Sequence, residues 1–228
     1  MKTKALLPFI LVLLISGCSK PPSSLEFSWE LYKAPTVNAD TFKGKKIAIM
    51  PTSRIEFDPT QQVYRETLGG LIYMSFNKYS LETSLLPVDA TQSAVNRASL
   101  WSEVLEMYKE YEITAVLRKD TLAKIGRSLD AQYVLMPKIL RFVQESFDRV
   151  SIFGFSLVRT RQSTVDVQIQ IWDTDTGEVV WQGVGEGSEA AEVVEGRPVS
   201  FITVTQFACE SLFYRLPWLP EEMKRKGK

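Results

Sequence analysis

The sequence predicts an α/β (α+β) domain, a mixed β-sheet with helices packed on it in the order β-α-β-α-α-β-β-β-α. Residues 47–50 form a short apolar run ended by Pro51, which is the pattern of a buried strand. Residues 61–79 place apolar side chains at helical spacing with charged residues opposite, which predicts an amphipathic helix. Residues 164–172 alternate between aliphatic and polar side chains and run into a turn, which predicts one strand of a hairpin.

Shorter signals mark the remaining elements of the N-terminal half. Gly69 and Gly70 lie within the first helix, and a glycine there costs about 1 kcal/mol relative to alanine. This pair indicates either a close backbone contact or a shorter helix. Ser99 is predicted to cap the second helix, and the third helix begins near Asp120. The second strand and these two helices are predicted in residues 84–88, 100–108 and 120–129.

The C-terminal half predicts a strand, the hairpin and a last helix. The alternation places one face of residues 164–172 in the core and the other in water. A five-residue loop pairs Trp181 with Ile169 in the core. A one-residue slip instead puts Trp181 beside Trp172 on the other face. The strand before the hairpin is predicted in residues 133–142, and the second strand of the hairpin in residues 178–186. The last helix is predicted in residues 200–216.

The N-terminus reads as a lipoprotein signal peptide over residues 1–17. Lys2 and Lys4 provide positive charge, and the apolar run at residues 5–15 is too short to span a bilayer. Ile-Ser-Gly-Cys, ending at Cys18, resembles the lipobox, at which maturation removes the preceding residues and acylates the cysteine. Cys18 is therefore predicted as the lipidation site, carrying palmitate or a similar acyl chain. The alternative is an ordinary secretory signal with an accidental cysteine.

Three further regions follow the signal peptide. Residues 18–45 are predicted to be a lipidated tether and N-terminal arm, in which two prolines favour extended backbone before several aromatic residues appear. We expect the arm to pack along the domain, and the sequence leaves its regular structure open. Residues 46–216 are predicted to be a single α/β domain. Residues 217–228 form a basic tail, which either contacts anionic lipid or glycan surfaces or is a solvated end.

Composition excludes several classes of function. Removal of residues 1–17 takes two of the 27 basic residues and none of the 27 acidic ones, so the mature chain has a formal net charge near −2. That balance argues against nucleic acid as the partner. The chain has no histidine, which excludes Ser-His-Asp and Cys-His catalysis and histidine zinc sites. With Cys18 acylated, only Cys209 remains, and it is interpreted as a small buried hydrophobe.

Short motifs that resemble sites have simpler structural interpretations. Asp-Thr-Gly at residues 175–177 matches the aspartic-protease triplet but lacks a second aspartate to share its proton, so it is interpreted as a turn. As a calcium loop, the same turn has its glycine one position early and no closing glutamate. Gly183, Gly185 and Gly187 alternate within a strand, which indicates close backbone approach rather than a phosphate loop. The sequence therefore predicts no catalytic residue, cofactor or metal.

Two segments resemble the curli-secretion-lipoprotein superfamily. Residues 122–135 are similar to its leader helix, small turn and Ala-x-Tyr-Val-Leu strand. Residues 165–181, with Asp-Thr-x-Thr-Gly-Glu-Val-Val-Trp at the turn, are similar to its antiparallel hairpin. The superfamily includes the curli secretion channel, the outer-membrane lipoprotein activators of penicillin-binding proteins and the N-terminal domain of the Tol-system propeller protein. The resemblance covers residues 46–216 and implies an envelope lipoprotein of α/β fold that works by binding proteins.

We therefore expect a lipid-anchored, periplasm-facing lipoprotein of the outer membrane. It would act as a non-enzymatic accessory or assembly factor through contacts with envelope proteins, and a homo-oligomer fits this reading. The alternative is a subunit of an outer-membrane secretion channel of the curli-secretion type, and an enzyme is a distant third. The one segment suited to membrane insertion, residues 142–161, alternates loosely and carries charges. Within it Ile152, Phe153 and Phe155 are predicted partner contacts, because they are hard to bury beside so much charge.

Overall fold

The alternating and helical patterns of the chain fold into one mixed sheet with helices on both faces. The structure, a computed structural model, describes residues 23–38, 40–52, 60–78, 82–152, 155–193, 199–214 and 216. The elements within these ranges are β1 (Ser23–Lys33), β2 (Lys46–Ile49), α1 (Thr60–Asn77), β3 (Ser84–Leu86), α2 (Val88–Arg97), α3 (Trp101–Thr114), α4 (Lys119–Leu129), β4 (Tyr133–Ile152), β5 (Phe155–Asp173), β6 (Val179–Val193) and α5 (Phe201–Tyr214).

The sheet joins an antiparallel part to a short parallel part. Its strand order is β1-β6-β5-β4-β2-β3. The pairs β1–β6, β6–β5 and β5–β4 are antiparallel, whereas β2 is parallel to both β4 and β3. Parallel pairing needs a crossover, and helices supply it: α1 between β2 and β3, and α2 to α4 between β3 and β4. The predicted α/β (α+β) class and mixed sheet are confirmed.

Two hydrophobic cores lie on opposite faces of the sheet. α1 and α5 cover the first face, where the aliphatic side chains of β5 pack with Trp181 and with helix residues such as Leu68 and Leu212. α2, α3 and α4 cover part of the second face, and their core includes Met50 and Trp172. No buried residue of the second core comes from β1 or β6, among those the structure describes. The second face is therefore only partly covered.

Helix α5 lies directly against the backbone of β6. A Cβ atom at Gly183 would come within 2.9 Å of a methyl carbon of Leu212. One at Gly185 or Gly187 would overlap a backbone carbonyl oxygen of α5. Absent side chains at these alternate positions let the helix approach the strand, as the interpretation of the glycine run required. Gly69 in α1 instead leaves space for the side chain of Val88, the first residue of α2, with which a Cβ at position 69 would collide.

The structure contains two elements beyond the predicted order. The N-terminal arm, whose regular structure the sequence left open, is the edge strand β1, antiparallel to β6. The second addition is α2, a ten-residue helix that buries only Thr91, Ala94 and Val95, so it has few large apolar side chains from which to predict it. This helix also corrects the prediction for Ser99. Ser99 has a positive φ of 55° and lies just beyond the end of α2, and α3 begins after Leu100 with no side-chain cap.

The hairpin of β5 and β6 has the predicted core face but a different register. Ile169 is fully buried and Trp181 is 2% exposed in the same core. Trp181 pairs with Ile171, however, and Ile169 faces Gly183. Trp172 pairs with Val179, so the connection is one residue longer than predicted, and a bulge between Ile171 and Trp172 shifts the register by one more residue. The prediction that the opposite face is uniformly wet is also wrong, since α3 covers its end nearest the turn and buries Gln170 and Trp172.

The hairpin of β4 and β5 is longer than predicted. The strand expected to end at residue 142 continues to Ile152, and β5 starts at Phe155 rather than at residue 164. Pairing runs from Tyr133↔Asp173 to Ile152↔Phe155. The segment considered for membrane insertion is thus the distal half of this hairpin. None of the helices in the described ranges is long and apolar enough to cross a bilayer.

Candidate functional site

The predicted site residues fall largely outside the described part of the chain. Cys18 and Phe153 lie outside the described residues. Ile152 and Phe155 pair with each other at the end of the β4–β5 hairpin, and their side chains are not among those described. Lipidation and partner contact at these positions therefore stay predictions.

A stripe of large apolar side chains lies on the edge strand β1. Leu25, Phe27 and Trp29 are 57%, 49% and 37% exposed, and the rings of Phe27 and Trp29 are 5.6 Å apart. Leu31 is 49% exposed beyond them, at a bulge in the strand. Single exposed apolar residues are ordinary on protein surfaces, but a contiguous set on one strand indicates a contact surface. We call Leu25, Phe27, Trp29 and Leu31 the apolar stripe.

The alternate residues of β1 fix the direction in which this stripe points. The Ser28 hydroxyl donates a hydrogen bond to the Ser211 carbonyl oxygen of α5 at 2.8 Å. The Trp181 indole N–H donates to the Glu30 carboxylate at 3.0 Å. Partial burial, followed by the charge of Glu210, raises the pKa of Glu26. Ser28 and Glu30 are held on the α5 side. Because side chains alternate along a strand, the residues of β1 that alternate with them face the opposite side of the sheet.

A row of polar side chains continues across the sheet from the stripe. In the pairing register, Phe27 faces Glu186, Glu186 faces Asp166, and Asp166 faces Arg141. The Arg141 guanidinium donates to both carboxylate oxygens of Asp166, at 2.8 and 3.2 Å, and lies 3.5 Å from Glu186. The two acids raise the pKa of Arg141. In the next row, the hydroxyls of Thr164 and Ser188 are hydrogen-bonded at 2.9 Å.

Helix α3 marks where this partly exposed surface ends. The Tyr111 hydroxyl donates to the Gln170 side-chain oxygen at 2.7 Å, and the same oxygen accepts from the Trp172 indole at 3.3 Å. Lys138 lies 3.6 Å from Glu112 at the boundary. Beyond it, the sheet face formed by β1, β6 and the distal parts of β5 and β4 is the open face. It combines the apolar stripe, the Arg141 ion pairs and, on β4, the half-exposed Phe147.

The motifs set aside in the sequence have structural roles. One Asp173 carboxylate oxygen accepts hydrogen bonds from the backbone amides of Asp175 and Thr176, at 2.9 and 2.8 Å. Gly177 follows with a φ of 73°, so residues 173–177 form a tight turn closed by Asp173. Cys209 is fully buried, and burial raises the pKa of its thiol. Within the described ranges, no group of three or more acidic, cysteine or histidine side chains is placed to hold a metal.

The apolar stripe is the feature that reasoning from the sequence missed. Leu-Glu-Phe-Ser-Trp-Glu-Leu, residues 25–31, alternates as strictly as residues 164–172. The period of two was sufficient to predict a strand. It could not show that the apolar face of this strand lies in solvent, because alternation normally indicates that the apolar face is buried.

No protein family matches this chain, and no curated protein does. Similar solved structures include the PelC dodecamer from Paraburkholderia phytofirmans, at 13% identity and a TM-score of 0.42, covering 82% of this chain and 94% of that one. Lipoprotein GNA1162 from Neisseria meningitidis has 15% identity and a TM-score of 0.40, covering 67% and 87%. The LpoB C-terminal domain from Salmonella enterica has 16% identity and a TM-score of 0.30, covering 67% and 86%.

At this identity and TM-score the likeness carries no statement about activity or partners. The functional argument therefore depends on the residues of the open face.

Proposed function

We propose that this chain is an outer-membrane lipoprotein, anchored through acylated Cys18 and facing the periplasm, that acts as a non-enzymatic accessory or assembly factor by binding other envelope proteins. The observation that carries the proposal is the open face, in which an apolar stripe lies beside a polar row on one sheet. Protein interfaces combine an apolar centre with a polar, partly charged rim, and this face has both.

The position of the stripe along the chain supports the proposal. β1 begins at Ser23, five residues after Cys18. Five extended residues span at most about 18 Å. A domain anchored at Cys18 would therefore hold the start of the stripe close to the membrane surface, within reach of other proteins of that membrane.

The charge of the open face favours a protein over the lipid surface as its partner. Asp166 and Glu186 share the single guanidinium of Arg141 in the described part of this face. The row is therefore net negative, and negative charge is repelled by anionic headgroups. A protein partner can instead present a basic or hydrogen-bonding group to the row and an apolar surface to the stripe.

The described part of the β4–β5 hairpin gives little support to the channel alternative. A hairpin inserted in a bilayer needs one apolar face toward lipid. Here Phe142, Gln144 and Ser146 alternate with Val143, Glu145 and Phe147, so both faces contain polar residues. Gln144 donates hydrogen bonds to Ser163 and to the Val199 carbonyl oxygen, which fixes it within the domain.

Cys18→Ala is expected to abolish anchoring, because acylation needs the cysteine sulfur. Cells fed a labelled palmitate should label the native chain in the outer-membrane fraction and leave the variant unlabelled. Cys209→Ala is the matched control, since Cys209 is buried in the core and should not affect labelling. Equal labelling of native protein and Cys18→Ala would contradict the anchoring proposal.

Anchoring and recognition should also be separable. A secreted form without Cys18 should still bind its partner in solution but fail to support the process in cells, because the anchor raises local concentration without adding a specific surface. Loss of binding in solution would show that the anchor itself contributes to recognition.

A further inference from the structure

Glu186 is a carboxylate of the open face to which no described residue donates a hydrogen bond. It lies on β6, between Phe27 of β1 and Asp166 of β5 in the pairing register. Its side chain is 26% exposed, and within the described ranges its carboxylate meets one cation, the Arg141 guanidinium, at 3.5 Å. A carboxylate that is largely removed from water is unfavourable unless it is paired and hydrogen-bonded. Glu186 can therefore accept a further donor.

Arg141 does not satisfy Glu186, because its donors are directed at Asp166. Its Nε and Nη2 atoms donate to the two carboxylate oxygens of Asp166, which is the strong bidentate form of this pair. Asp166 and Glu186 are directly opposite each other on adjacent strands, and like charges at such positions destabilise a sheet. Glu145 of β4 is a third acid that acts on the same guanidinium. Among the described residues, this row therefore has more acids than cations.

A partner that covers the apolar stripe must also cover Glu186. Phe27 and Glu186 are directly paired, and the Cβ atoms of such residues are about 4.5–5.5 Å apart. Both side chains lie on the open face, since Gly185 and Gly187 on either side of Glu186 face α5. Water can solvate the exposed part of Glu186 in the free protein. A partner seated on Phe27 would displace that water, so it must supply a donor in its place.

Arginine is the side chain that fits this position best. A neutral donor would leave the charge of Glu186 uncompensated. A guanidinium carries a permanent charge, presents a planar fork that matches a carboxylate, and lies flat on aromatic rings, whereas lysine has no planar fork. Phe27 is half-exposed next to Glu186, and its ring is 5.6 Å from that of Trp29. The carboxylate and the aromatic surface that a guanidinium needs are therefore adjacent.

We infer that the partner protein places an arginine side chain beside Phe27, with its guanidinium paired to the carboxylate of Glu186. This inference rests on the proposed function, and it names the chemistry by which the open face recognises its partner. Glu186 then selects for a cation, and the apolar stripe binds the apolar surface around it. An arginine at the centre of an interface, surrounded by apolar contacts, is a common source of binding energy.

Glu186→Gln in the full, acylated chain tests the role of the charge, because it keeps the shape of the side chain. A benzoyl-phenylalanine in place of Phe147 measures partner capture in intact cells from a position distant from Glu186. The yield of crosslinked partner should fall about tenfold, as expected for the loss of one hydrogen-bonded charge pair. Glu189→Gln is the matched control, since Glu189 lies on the same strand but on the α5 side, and it should keep the native yield.

The position of the arginine is tested by a benzoyl-phenylalanine in place of Phe27. Mass spectrometry of the crosslinked partner should place the adduct next to an arginine. Replacing that arginine by glutamine in the partner should lower the yield measured from position 147 as much as Glu186→Gln does. The two changes together should lower the yield no further, because they remove the same interaction. Replacement of the arginine by lysine should also lower the yield, since lysine lacks the planar fork.

Equal yields from Glu186→Gln and Glu189→Gln would overturn the inference, whereas a partner still shared by positions 27 and 147 would leave the proposed function intact. An adduct from position 27 on a lipid, on a second copy or on residues 217–228 of the same chain would also overturn it. The thermal midpoint of Glu186→Gln should stay within a degree or two of the native value, because Arg141 keeps its bonds to Asp166. A much lower midpoint would assign Glu186 a structural role instead.

Discussion

Gly187→Ala is expected to destabilise the domain by about 3 kcal/mol or more, which is large for the addition of one methyl group. A Cβ atom at this position would overlap the Val204 carbonyl oxygen and approach the Ala208 backbone nitrogen to 2.8 Å. Both atoms belong to the backbone of α5, so no side-chain rotation can relieve the contact. The helix would have to lift from β6, and it would open the core around Leu212.

Gly70→Ala is the matched control for this change. Gly70 lies in α1, and a Cβ there would meet no atom within 4 Å. Alanine should therefore raise stability by about 0.5–1 kcal/mol through its better helix propensity. Denaturant titration gives the free energy of unfolding of both variants. If Gly187→Ala and Gly70→Ala changed this free energy by the same amount in the same direction, α5 would not lie on the β6 glycines.

Ile169→Asp is the second change expected to have a large effect, about 4 kcal/mol or more. Ile169 is fully buried in the first core, between the Pro137 and Gly183 positions of the adjacent strands. The new carboxylate would lie among aliphatic side chains, so its burial would be uncompensated.

Gln168→Asp provides the comparison one residue away. Gln168 is half-buried on the open face, where a carboxylate can reach water, and Lys138 lies across the strand pair. The thermal midpoint of the Gln168→Asp variant should stay within a degree or two of the native value, as for most surface changes. Equal losses at positions 168 and 169 would contradict the facing of β5.

The accuracy of the sequence analysis depended on how local each signal was. The facing of Ile169 follows from side-chain alternation alone, and it was correct. The partner of Trp181 depends on the length of the turn and on a bulge at Trp172, and the residue pattern predicted neither. Gln170 appeared exposed because its strand alternates, but α3 comes from a distant part of the chain and buries it.

The candidate site also depends on contacts between distant parts of the chain, which the sequence pattern does not show. The sequence pointed to Cys18 and to the hairpin end at Ile152, Phe153 and Phe155, and those predictions remain to be tested. The apolar stripe was overlooked because its alternation resembles that of any half-buried strand. Its exposure is set by tertiary structure: α5 covers the Ser28 side of β1, and no described helix covers the Phe27 side.

The central claim, that the open face binds another envelope protein, is tested most directly by site-specific photo-crosslinking in intact cells. A benzoyl-phenylalanine in place of Phe27 or of Phe147 tests the two ends of the face, and each replaces a half-exposed aromatic residue. The same group at Ile113, which is 86% exposed on α3, is the control. The account predicts one shared partner, distinct from the chain itself, crosslinked from positions 27 and 147 and not from position 113. Absence of a shared partner, or equal crosslinking from position 113, would contradict it.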